Sequence, residues 1–497
     1  MQSIPQALGK KKFVGMLFQK NLELWFYDPR HWRLNITDIK KNRIEFLNFT
    51  PPRYDFIIHV TLTDGQKLQF YQGVAATKSP RKTQSVYGKA KIGTSDFYFV
   101  DGYTSIDYVE GLLEAWTRKD TLGSLGFVGK LPGDRGDVTI NLRSLKILSK
   151  PGQEPTTNYL YRIRGSAKIT SKKQEFDIIA KRFLPRAPFN RGNNEYAILK
   201  ALPRAIVPRT RGVLVNHRLP INGESQVLVL FSDFLEDAHE IGKLIWDLME
   251  TISRKKEIKK NAAPELRQLE TAVQQAVEKV VFPFHKAGFE TWHPNGSPIK
   301  AKAHFFSWYH LELEQDLKTL ESTETMNANR VKMLSGLFRT AWPKILGRIP
   351  ATEIHGDLMW RQILKVKNRL VILDLDEHVK GHAAKDVADL CAANRFIAED
   401  LQSPHHDYMK NLGENLNALI LKSYMKKAAQ TNAPWASNLE NALKIYLAFR
   451  HLHDAAYYAP VWHQAKTAEE KAKYKRYVGF SIDWFDKSVK TVETLLD

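Results

Sequence analysis

The pattern of apolar positions divides the chain in two. Over the first half it is strand-like. Residues 53–62 (Arg-Tyr-Asp-Phe-Ile-Ile-His-Val-Thr-Leu) and 67–71 (Lys-Leu-Gln-Phe-Tyr) are rich in β-branched and aromatic side chains, and Thr63-Asp64-Gly65 joins them. That combination predicts a hairpin. Residues 104–116 then carry apolar side chains every three to four positions behind a Thr or Ser able to cap, which predicts a helix. Further strands are expected at 159–164, 176–183 and 226–231, with a helix over 193–202, capped at Asn193-Asn194 and closed by Pro203. From residue 238 the helical period takes over: 238–252, 263–281, 307–320, 327–346, 384–398, 413–429, 439–458 and 468–496. One stretch interrupts these helices, 353–376, where arms at 363–366 and 370–373 flank Lys367-Asn368-Arg369 as a second hairpin.

At 497 residues the chain is too long for one core. The Pro- and Gly-rich piece 150–155 and the change of period near 235 suggest domains at 1–145, 146–234 and 235–497. A hydrophobic content of 43% and an aromatic content of 11% exclude a disordered class. The single cysteine, Cys391, excludes intramolecular disulfides and any cysteine-based zinc site. Residues 1–20 lack a sustained apolar leader, and the longest apolar run, 227–231, is strand-length, so a cytoplasmic protein with no membrane partner is expected. The net charge of +20 raises nucleic acid as a partner. The basic runs at 10–12, 254–260 and 471–476 read as solvated faces, and no nucleic-acid-binding motif is present. No specific nucleic acid is expected.

The interrupting stretch carries the chemistry. It runs Glu-Ile-His355-Gly356-Asp357-Leu-Met-Trp-Arg-Gln362, then the hairpin, then Asp374-Leu-Asp376. Chain geometry brings Asp357 and Asp374 to one end of the hairpin. Phosphoryl transfer needs two such carboxylates, one for the acceptor hydroxyl and one for the Mg²⁺ that bridges nucleotide phosphates. The order parallels the His-Arg-Asp and Asp-Phe-Gly motifs of protein kinases.

His-Gly-Asp followed by a second Asp after a short hairpin resembles the aminoglycoside-phosphotransferase and choline-kinase superfamily. Gln362 in place of the usual Asn is similar to its maltokinase and glucosamine-kinase branch. The loop departs from that branch at Met359 and Arg361, and no Gly follows Asp376-Glu377. The resemblance implies an α+β, bilobal protein-kinase-like fold, with an N-terminal cap domain, a nucleotide-binding small lobe and a helical C-terminal lobe. It also implies roles. Asp357 is the base or hydroxyl-orienting group, Gln362 and Asp374 are the Mg²⁺ ligands, and Asp376 reaches a second metal. Lys181 and Glu195 match the strand lysine and helix glutamate that orient phosphates, with Arg182 as the inward residue if the register shifts by one. Thr156, Thr157 and Asn158 stand where the family covers the phosphates, or form a plain polar hairpin; Asp233 follows the strand that would contact adenine. Asp386 matches a family aspartate that braces the catalytic loop.

For the acceptor, the helix 445–458 offers Arg450, Asp454 and Tyr457, with Trp462 just beyond and His355 in the loop. Such groups suit a sugar, although an amphipathic helix would look the same. The histidines at 378/382, 405/406 and 451/453 lack zinc-hydrolase spacing. The expectation is an ATP- and Mg²⁺-dependent sugar kinase, monomeric or homodimeric. The alternatives are a non-catalytic basic binding protein on a kinase scaffold and an antibiotic kinase.

Overall fold

A computed structural model describes residues 39–50, 53–62, 67–82, 84, 86–92, 94–118, 122–131, 138–149, 158–169, 172–183, 191–221, 224–255, 262–292, 303–347 and 349–496. The chain falls into two compact units, divided after residues 200, 208 and 234.

The first unit holds two antiparallel sheets. Strands β1 (Ile39–Thr50), β2 (Arg53–Leu62), β3 (Lys67–Thr77), β4 (Val86–Ile92) and β5 (Ser95–Asp101) form one, in the order β1-β2-β3-β5-β4. The expected hairpin is β2–β3, with Ile57 opposite Tyr71; its connection, Thr63-Asp64-Gly65, lies outside the described residues. Helix α1 (Ile106–Arg118) buries Tyr108, Val109, Leu112, Leu113 and Trp116, the stripe its period predicts. These side chains join one apolar core with Ile57, Val100, Tyr161, Ile163 and Phe231.

The second sheet contains β6 (Leu125–Gly129), β7 (Val138–Ser149), β8 (Tyr159–Ile169), β9 (Lys172–Arg182), β10 (Thr210–Ile221) and β11 (Glu224–Asp233), in the order β6-β10-β11-β9-β8-β7. Helix α2 (Arg191–Ala201) follows β9. Asn193 does not cap it. The residue lies inside the first turn, and its amide reaches strand β11: Nδ2 donates to the Ser225 carbonyl (3.0 Å) and Oδ1 accepts from the Val227 N–H (2.6 Å). Strand β11 pairs with β9 only over Val229–Asp233, so the Ser225 carbonyl and the Val227 N–H take the Asn193 amide as their partner instead.

The second unit is mainly helical. Residues 238–240, expected to begin a helix, form instead the short strand β12 (Ala238–Glu240), and helix α3 (Ile241–Ser253) starts behind it. Helices α4 (Ala263–Ala276) and α5 (Phe282–Trp292) are continuous through a π-helical turn, Val277–Val281. Then come α6 (Ala303–Ser322) and α7 (Ala328–Ala341), the latter capped by the Asn327 side chain on Arg330 N–H at 2.9 Å. Strands β13 (Thr352–Ile354), β14 (Ile363–Val366), β15 (Arg369–Ile372) and β16 (Val379–Gly381) surround the interrupting stretch. They pair as β12-β14-β15 and β13-β16. Helices α8 (Ala384–Asp400), α9 (His406–Thr431), α10 (Leu439–Gln464) and α11 (Ala468–Thr494) complete the unit. Among the described residues no helix is long and apolar enough to cross a membrane.

Candidate active site

The loop from His355 to Gln362 is held at successive peptides by the first turns of α8. Asp386 accepts the His355 N–H on one oxygen (2.7 Å) and the Gly356 N–H on the other (3.0 Å). Asp389 accepts the Leu358 N–H (3.2 Å), and Lys385 donates to the Gly356 carbonyl (2.8 Å) while pairing with Asp389 at 2.7 Å. Gly356 sits at φ +87°, and a Cβ there would lie 2.6 Å from the Glu377 carbonyl oxygen, so only glycine fits. The buried His355 ring donates from Nε2 to the Leu373 carbonyl (2.8 Å), tying the loop to the far end of the hairpin. These bonds satisfy the backbone of His355, Gly356 and Leu358 with charged side chains in a dry setting, where such bonds are strong.

Asp357, at the turn of this loop, keeps 37% of its side chain exposed and accepts from Arg450 Nη1 at 2.9 Å. Arg450 also lies 3.7 Å from Asp389 and pairs with Asp454 at 3.0 Å. Burial pushes the Asp357 carboxyl up, but Arg450, Lys385 and Arg361 together hold it well below the ordinary carboxylate range. For Asp389 the balance is reversed. Burial, helped by Asp357 and Asp386, outweighs Lys385 and Arg450 and pushes it up to about 6. Asp357 is therefore an ionised, partly open carboxylate backed by cations.

Beyond the hairpin, Asp374 is exposed and adopts the left-handed conformation at φ +61°, which costs energy for a non-glycine residue and is typical of functional turns. Asp376, in the turn that follows, is 4% exposed. The Gln362 amide oxygen accepts the Met359 N–H at 2.6 Å and so closes the 3₁₀ turn Trp360–Gln362. A carbonyl oxygen has a second lone pair, so this bond does not exhaust it. Among the described residues no group of three His, Cys, Asp or Glu side chains converges as a ready metal cage. The donor set is nonetheless all oxygen, and one or two carboxylates suffice for a Mg²⁺ ion that takes its remaining ligands from phosphates and water.

In the first unit, Lys181 on β9 meets Glu195 on α2 at 2.7 Å, both buried. Arg182 is not a substitute for Lys181. It is 1% exposed and points to Asp101 (3.3 Å) and the Tyr159 ring (4.0 Å), on the other face of the sheet. Asp233 pairs with Arg211. Asn158 is buried; Thr156 and Thr157 lie outside the described residues.

The acceptor candidates on α10 are drawn into packing and ion pairs. Arg450 and Asp454 belong to the network around Asp357, and Tyr457 packs edge-on against Tyr458 (5.1 Å). Trp462, half-buried, has Lys475 Nζ at 5.8 Å from its ring. Three residues that sequence reasoning did not single out belong to the site: Lys385, Asp389 and His285. Lys385 and Asp389 are separated by four positions on one helix, a spacing that does announce a pair. His285, whose Nε2 meets Asp386 at 2.9 Å, lies a hundred residues upstream, and no local signal marks it.

No family model and no curated protein matches this sequence. Among solved structures, the chain is similar to a glucosamine kinase (crystal form B), with 13% identity and a TM-score of 0.53 over 90% of this chain and 94% of that one. A glucosamine kinase in complex with glucosamine, ADP and inorganic phosphate matches with 14% identity and a TM-score of 0.52, over 96% of this chain and 99% of that one. At such identities the likeness concerns the fold. The chain has the α+β, protein-kinase-like fold of these enzymes, with a sheet-rich region followed by a helical C-terminal region.

Proposed function

We propose that this protein is an ATP- and Mg²⁺-dependent phosphotransferase whose acceptor is a hydroxyl of a small molecule, a sugar in the first instance. One observation carries the reading: the ionised, partly open Asp357 sits on a loop clamped at three backbone N–H groups, and the hairpin leaving that loop ends on the exposed, left-handed Asp374. The kinase-like fold and the neighbour holding glucosamine, ADP and phosphate support it.

In this reading Asp357 accepts a hydrogen bond from the acceptor hydroxyl and aims its oxygen at the terminal phosphate of ATP. Cations that keep Asp357 ionised also make it a poor proton sink, so orientation outweighs proton removal in its contribution. Asp374, with Gln362 and Asp376, would hold Mg²⁺, which when bound neutralises charge on the transferring phosphate. Lys181, fixed by Glu195, would orient the inner phosphates. The sheet β6–β11 with α2 then serves as the nucleotide-binding lobe, residues 235–497 as the catalytic lobe, and the sheet β1–β5 as a cap. The test is a screen of mono- and disaccharides, amino sugars and aminoglycosides for transfer of the terminal phosphate of ATP, with Asp357→Asn as control. Transfer to none of them by the parent protein would overturn the reading.

A further inference from the structure

A directional hydrogen-bond chain reaches the catalytic loop from a side that the proposed reaction does not use. Trp435 Nε1, a donor only, lies 3.0 Å from the Tyr424 hydroxyl oxygen. The Tyr424 hydroxyl meets His285 Nδ1 at 2.7 Å, and His285 Nε2 meets Asp386 Oδ2 at 2.9 Å. Asp386 accepts the N–H groups of His355 and Gly356, the two residues before Asp357. All four side chains are buried.

Only one proton arrangement satisfies every member. An ionised Asp386 accepts, so His285 Nε2 carries the ring proton and Nδ1 is the acceptor for the Tyr424 hydroxyl, whose oxygen is free to accept from Trp435. Helix α5, which bears His285, is pressed against β13. A Cβ at Gly288 would lie 2.5 Å from Glu353 Cβ, and the Thr352 hydroxyl donates to the His285 carbonyl at 2.5 Å. The ring therefore has little freedom, and it fixes which way the Asp386 carboxylate faces.

We propose that His285 is a positioning residue: held by Tyr424 and Trp435, it orients Asp386, which sets the backbone at His355-Gly356 and thereby the direction of Asp357. The consequence for turnover rests on the phosphotransferase reading; the consequence for the loop does not. A purely structural histidine would tolerate or lose its function with stability alone. A positioning one should distinguish two amides. His285→Gln can place an N–H where Nε2 stood and keep the bond to Asp386. His285→Asn reaches toward Tyr424 instead and loses Asp386.

The experiment compares both variants and Tyr424→Phe with the parent protein, at matched temperature below their melting points. Hydrogen exchange of the 353–358 amides is read first. Phosphate release from Mg²⁺-ATP, with water as the acceptor, is read second. The expected result is near-parental exchange in His285→Gln and exchange at least about tenfold faster at His355 and Gly356 in His285→Asn. Phosphate release in His285→Asn should fall by roughly 10–100-fold at saturating ATP, with KM for ATP nearly unchanged, as misplacement of a reacting group implies. Tyr424→Phe, which removes one oxygen, should fall between them. Equal protection in all variants overturns the proposal, and so does equal loss in Gln and Asn that tracks melting temperature. If the parent protein transfers phosphate neither to water nor to any acceptor of the screen, the kinase reading fails while the exchange comparison still decides the role of His285.

Discussion

Asp357 and Asp374 resemble each other in sequence and differ in setting, and that difference predicts different kinetics. Asp357 lies among Arg450, Lys385 and Arg361, away from any proposed metal role, whereas Asp374 projects from a left-handed turn at the end of β15. Asp357→Asn, which cannot orient the hydroxyl as the ionised carboxylate does, should lower turnover by roughly 10²-fold or more with little change in Mg²⁺-ATP affinity. Asp374→Asn should lower affinity and turnover together. Nucleotide titrations and rates at saturating substrate separate the two outcomes. Near-full turnover in Asp357→Asn would sink the mechanism. A third acid makes a prediction about pH. Burial pushes Glu353 from its ordinary 4.5 up to about 7, only partly offset by Lys380. The folded chain thus holds this proton more tightly than the unfolded one, so the stability it contributes is complete below 4.5 and is lost as pH rises through about 7. A change of that size is worth roughly 3 kcal/mol. Glu353→Gln, neutral at every pH, should gain stability relative to the parent across that window and stay ahead above it. Denaturant titrations at several pH values measure the difference, and a constant offset would show that Glu353 does not titrate there.

At the scale of the element, strand β9 shows how a sheet serves two purposes with adjacent residues. Lys181 faces α2 and Glu195, and Arg182 faces Asp101 and a layer of tyrosines. The sequence left open which of the two was inward. Both are, because neighbours on a strand point to opposite faces and both faces are covered. Removing one partner of a buried ion pair is costly, and replacing both by apolar groups is often neutral. Lys181→Met should therefore destabilise by about 3–5 kcal/mol, and Lys181→Met with Glu195→Leu should recover most of that stability without recovering phosphoryl transfer. Denaturation and turnover measured on both variants check this. Recovery of activity in the double variant would remove the pair from the mechanism.

For the whole molecule, the +20 charge is the bulk property that the proposed reaction uses least. Attraction of this kind is general, driven by release of counterions, and collapses with salt. Binding to single- or double-stranded nucleic acid should accordingly be weaker than micromolar at physiological salt, with a steep log-log dependence on salt concentration. Sub-micromolar affinity persisting at physiological salt would favour a binding protein on a kinase scaffold. Thermal shift with Mg²⁺-ATP against a polyanion gives the complementary reading by mass action.

Local signals settled a good deal of this protein. Apolar periodicity marked α1 and the helices of the second unit, because the face a helix buries must recur every three to four residues. Caps that bond within four residues, such as Asn327 on Arg330 and Thr467 with Glu470, are likewise written locally. The hairpin 363–372 and the loop motif before it were legible for the same reason: turn chemistry and spacing act over a few bonds. Tertiary structure alone decided the rest. It turned Asn193 from cap to cross-link, made Ala238–Glu240 a strand because an edge of β14 was there to pair with it, and paired Arg450 with Asp357. It also brought His285 to Asp386 across a hundred residues. Burial removes the water that would otherwise satisfy these groups, so each must find whichever partner the packed chain places nearby, and no local pattern encodes which partner that is.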